Sequence, residues 1–265
     1  MNFLKWWIRP RFEEPKVEWL FAHFRWLLEN YGGHDSFLRS YHLVMANRND
    51  FPSTALSTER SVEEAFQSVM KHMGMGDWAV ELVPLGHGDD PEEFEHDQSE
   101  ISMEYSSDGV GGYFHLDSRG RARIGYGPHL VSDFMELISV LSHEAAHYLL
   151  TKSITVMPGG WKDLEPVTDL TAIFAGFGLF QANTASVVRH YSGGHSSSVG
   201  GYLPESGRAY ALAIFSELSL LDAKFVAKHL RPNPRASYRA AIEDIRQNRK
   251  EKMRDLESLT PMRKW

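Results

Sequence analysis

The residues best suited to chemistry in this chain are two histidines and a glutamate at fixed spacing, His143-Glu144-Ala145-Ala146-His147, the pattern H-E-x-x-H. On an α-helix, positions four apart lie one turn apart on one face, so two imidazoles at that spacing can grip a single metal ion. Glu144 between them can then act as a base on a water polarised by that ion. Eighteen residues after His147 stands Glu165, and four further on stands Asp169. A catalytic zinc takes three protein ligands and keeps one open position, which makes Glu165 the candidate third ligand beside His143 and His147. Asp169 can accept a hydrogen bond from the non-ligating nitrogen of a ligand histidine, fixing its tautomer and orientation.

Two helices must position this set. The first is expected over 132–150, with Ser132 as N-cap and apolar residues on more than one side, the mark of a buried helix. The second is expected from near Asp163 through Phe180, with Pro166 tolerated in the first turn. On it Glu165, Asp169, Ala172 and Gly176 share a face, and the two small residues let that face press against a neighbour.

Upstream, helices are expected over 17–30 and 58–73, and 36–46 is ambiguous between strand and helix. Strands are expected over 78–85, 101–105, 111–116 and 121–126, the last two joined by the turn Asp117-Ser118-Arg119-Gly120. Downstream, 182–208 is loop-rich and a candidate lid, and helices follow over 209–229 and from 233 to about 258. The reading is an α+β chain of one domain over 1–265. Its first part, 1–131, is a mixed lobe with a small antiparallel sheet and an acidic loop at 86–108; its second, 132–265, is a helical lobe carrying the zinc site.

The combination of His143-Glu144-x-x-His147 with Glu165-x-x-x-Asp169 resembles the gluzincin metallopeptidases, the thermolysin-like clan. The likeness covers about forty residues. Around it, Leu164–Phe180 and the run Gly201-Tyr202-Leu203 to Ala213 look like uncharacterised bacterial proteins that share this core. The resemblance implies a zincin-like fold, with Zn2+ held by His143, His147 and Glu165. It makes Glu144 the general base and Asp169 the support of a ligand histidine. It also implies that 121–126 is an edge strand pairing with an extended peptide or protein substrate. The rival third ligand is Asp169, as in the aspzincins, but their Gly-Thr-x-Asp pattern is not matched here. An oxyanion donor is also expected, with His190, Tyr191, His195, Tyr202 and Tyr210 as candidates; the loop position favours Tyr202 or His190. Alternatives to a peptidase are a zinc-binding regulatory protein without turnover and a zinc hydrolase of a non-peptide amide.

Composition narrows the class. The 265 residues contain no cysteine, which excludes thiolate ligands, disulfides and a cysteine nucleophile and suits a cytoplasmic setting. The net charge of −7 is concentrated: nine Asp/Glu and no Lys or Arg fall between Gly86 and Asp108, so the remainder is near neutral, and no nucleic-acid footprint is expected. No apolar run is long enough to span a membrane, and the start is too short for a secretory signal. Residues 3–9, with Phe3, Leu4, Trp6, Trp7 and Ile8 beside Lys5 and Arg9, are expected to dock on their own domain, with contact to a membrane surface as the alternative.

Overall fold

Local signals in the chain set most of the element boundaries. Pro15 occupies the first turn of α1 (Glu14–Asn30), where its missing N–H costs nothing. Helix α2 (Gly33–Ser40) follows, so the ambiguous 36–46 stretch is helical only as far as Ser40. Thr58 and Ser61 form a reciprocal capping box at α3 (Glu59–His72). The strands are β1 (Val80–Pro84), β2 (Ile101–Ser102), β3 (Gly112–Leu116) and β4 (Ala122–Tyr126). Then come α4 (Phe134–Leu150), α5 (Leu164–Ala172), α6 (Gly178–Thr184), α7 (Glu205–Leu218), α8 (Ala223–Lys228), α9 (Pro232–Asn248) and α10 (Lys250–Glu257).

This computed structural model describes residues 12–54, 58–85, 101–102, 111–185 and 203–260. Residues 3–9, His190, Tyr191, His195, Tyr202 and all of the acidic segment except Ile101–Ser102 lie outside the described residues. The chain is mixed α+β and mostly helical. Among the described residues no helix is long and apolar enough to cross a membrane.

Two compact units emerge. One is built from the described parts of 44–152 and holds the sheet, α3 and α4. Its strands run in the order β1-β4-β3-β2. The sheet is mixed rather than antiparallel throughout: β4 pairs with β3 antiparallel but with β1 parallel, Leu82 opposite Ile124. Strand β4 is therefore interior. It is hydrogen-bonded on both sides, and the expected role of 121–126 as a substrate-pairing edge is corrected. The β3–β4 turn is as expected: the Asp117 carboxylate accepts the backbone N–H groups of Arg119 and Arg121 at 2.9 and 2.8 Å, and Gly120 takes the left-handed conformation. Phe114 and Ile124 turn one face of the sheet onto α4, where Leu137, Leu141 and Ala145 are fully buried.

The other unit, from the described parts of 1–43, 153–185 and 199–265, is all helical. Its core is aromatic: Phe37 lies 5.0 Å from Phe174 and 5.4 Å from Phe215, ring centre to ring centre, and all three are fully buried. The stretch expected as one helix from Asp163 to Phe180 is interrupted. A wide π-turn over Ile173–Phe177 separates α5 from α6, and Gly176 stands at φ +102°. So Gly176 serves a backbone conformation that L side chains rarely adopt. Close packing explains Gly178 instead, where a Cβ would come within 2.7 Å of Leu212. The expected helices over 209–229 and 233–258 also break, at Leu220 with φ +54° and at Arg249.

Candidate metal centre

Helix α4 carries the H-E-x-x-H residues. Its N-cap is Asp133, whose carboxylate accepts the Glu136 N–H at 3.1 Å, and not Ser132. From there the register places His143 and His147 on one face, with ring centroids 4.9 Å apart and planes at 82°. His143 is 7% exposed and His147 1%. The His147 ring lies parallel to Phe114 of β3, 6.3 Å away. Burial, with a smaller contribution from the neighbouring His143, holds the His147 imidazole well below its usual pKa. That favours the neutral ring, which is the metal-ligating form.

Glu144 is buried against β3. A Cβ on Gly112 would fall 3.0 Å from the Glu144 carboxylate and 2.6 Å from Val140. The glycine lets α4 lie directly on the strand at Glu144. Sequence reasoning missed this, though a glycine opening a strand is a signal of close backbone approach.

Glu165 lies in the first turn of α5, half-buried, and Asp169 one turn later at 1% exposure. Asp169 Oδ2 accepts from Arg208 Nη2 at 2.8 Å and from the Leu203 N–H at 2.9 Å. Arg208 also donates through Nε to the Leu203 carbonyl at 3.1 Å and through Nη1 to the Gln181 carbonyl at 3.2 Å. A buried carboxylate is thus matched by a buried guanidinium whose three nitrogens each donate a hydrogen bond. Arg208 was missed from sequence. The available signal was a lone basic residue in helix α7, among mostly apolar neighbours.

Tyr210, an oxyanion candidate, is corrected: it is fully buried and donates to Asp244 Oδ2 at 2.6 Å. Burial, then the bond to Asp244, pushes its pKa far up, so its hydroxyl is committed to the core of the helical unit.

No family model, curated protein or solved structure matches this chain. Function is therefore argued from its own residues. Among those described are groups of His, Asp and Glu that could hold a metal ion, and His143 and His147 belong to one of them.

Proposed function

We propose that the chain is a zinc-dependent metallopeptidase of gluzincin type, with His143, His147 and Glu165 as the ligands of the ion. The observation that carries the reading is the arrangement on α4: two buried imidazoles one turn apart, with Glu144 packed beside them against Gly112. In support, His143 and His147 belong to a group of residues with donors suited to an ion. Two neutral nitrogens and one carboxylate oxygen are a donor set that fits zinc and leaves a position open.

When bound, the ion supplies Lewis-acid polarisation of a water and of the substrate carbonyl. Glu144 takes a proton from the attacking water and delivers it to the leaving nitrogen. Burial against β3 limits the conformations open to its carboxylate, which keeps the base pre-oriented. Asp169, fixed at Oδ2 by Arg208 and the Leu203 N–H, accepts the N–H of a ligand histidine and holds its tautomer.

The test is metal content together with peptide cleavage by wild type and Glu144→Gln. Removing a general base is expected to slow cleavage by about 10²–10⁴-fold while the ion is retained. An equal rate in the two proteins would remove Glu144 as base. Bound metal without cleavage of any peptide would favour the regulatory protein or the non-peptide amide hydrolase over the peptidase.

A further inference from the structure

Helix α1 offers a row of hydrogen-bonding side chains to the segment that leads into α5. Trp19, His23, Trp26 and Asn30 recur at spacings of four, three and four, which places them along one helical face. Asn30 Oδ1 accepts the N–H groups of Ile154 and Thr155 at 2.8 and 3.0 Å, and Trp26 Nε1 donates to the Thr155 hydroxyl at 2.9 Å. His23 Nε2 meets the Pro158 carbonyl at 3.0 Å, and its ring stacks on Trp19 at 3.9 Å. Trp19 Nε1 donates to Asp163 Oδ2 at 3.1 Å. Asp163 is the residue just before α5, two positions from Glu165.

Packing does not hold this last stretch. The short turn Gly160–Asp163 has no buried residue, Trp161 is 73% exposed, and Leu164 to Pro166 are only half-buried. The Asp163 carboxylate is seated because Gly159, at φ +80°, has no side chain; a Cβ there would lie 1.9 Å from Asp163 Oδ2. The buried residues of α5 begin at Val167, so ahead of them side-chain hydrogen bonds fix where the first turn starts. A metal ligand in a first turn needs that position held to a few tenths of an ångström.

We propose that Trp19 is a positioning residue for Glu165, acting through Asp163 and the first turn of α5. The proposal rests on the reading of Glu165 as a ligand, and the experiment separates the two. Co2+ affinity and the visible spectrum of the Co2+-loaded chain are measured for wild type, Trp19→Phe, Asp163→Ala, Asp163→Asn and Glu165→Ala, with the Tm of each metal-free protein. Trp19→Phe removes the Nε1 donor while keeping a smaller aromatic ring beside His23. It is expected to weaken Co2+ binding by about 10-fold and to shift the visible bands, with little change in metal-free Tm. Asp163→Ala is expected to do the same, and Asp163→Asn, which keeps an oxygen acceptor, to stay near wild type. If Glu165→Ala loses Co2+ while Trp19→Phe and Asp163→Ala keep wild-type affinity and spectrum, the positioning role alone is overturned. If Glu165→Ala binds as wild type does, or wild type binds no Co2+, the ligand reading fails and the proposal fails with it.

Discussion

The two helices that carry the candidate residues are held in different ways. Helix α4 is held by shape: Phe114 lies parallel to His147, Gly112 admits Glu144 and Val140, and Leu137, Leu141 and Ala145 face the sheet. Helix α5 buries Val167, Leu170 and Ala172 as well, but its carboxylates depend on polar bonds: Trp19 to Asp163 ahead of it, and Asp169 to Arg208 and the Leu203 N–H within it. The difference follows from what each helix presents. An imidazole must be neutral to ligate, and burial favours that form of His147. A carboxylate must stay charged to do its work, and burial alone would neutralise it; a matched guanidinium prevents that.

That contrast can be broken from either side. The largest effect is expected from Asp169→Ala, which leaves Arg208 charged in the core without its partner and should cost about 3–5 kcal/mol by chemical denaturation. Replacing both, as Asp169→Leu with Arg208→Met, should recover most of that loss if the pair balances its own desolvation. A double mutant as unstable as the single one would show that the pair contributes more than charge neutralisation.

On the α4 side, Gly112→Ala should cost about 1–3 kcal/mol through overpacking against Val140. Because the same methyl displaces the Glu144 carboxylate, hydrolysis should fall further than stability does. Loss of stability with full activity would separate the glycine from the site.

The smallest effect concerns pH. His147 has its folded pKa depressed by burial, so the unfolded chain binds the proton first. Stability of the metal-free protein should therefore be level above about pH 6.5 and decline as pH falls below it, by at most about 1.4 kcal/mol per unit from this one group. In His147→Gln that decline should flatten. A wild-type profile with no slope between pH 6.5 and 5.5 would mean that the ring is not buried as a neutral group.

Much of the local order is legible in the residues. The H-E-x-x-H spacing sits on a buried helix, Thr58 caps α3, and Asp117 to Gly120 turn the β3–β4 hairpin as expected. Less legible were features that depend on a second chain segment. The parallel partner that makes β4 interior comes from β1, some forty residues earlier, and no alternation pattern specifies which strand lies beside which. Gly176 and Gly178 are equally costly residue types for a helix interior. Only the backbone at one and the neighbour at the other show that φ +102° explains the first and Leu212 the second.

By itself the sequence determined the chemical proposal: two imidazoles a turn apart, a glutamate between them, and two carboxylates a turn apart downstream. Those are periodicities of three and four residues, and a helix enforces them without outside help. What the tertiary structure decided is how each group is held. Gly112 beside Glu144, Phe114 beside His147, Arg208 on Asp169 and Trp19 on Asp163 join residues dozens to more than a hundred positions apart. Such pairs arise from packing and buried hydrogen bonds, which depend on three-dimensional proximity and leave no fixed spacing in the chain.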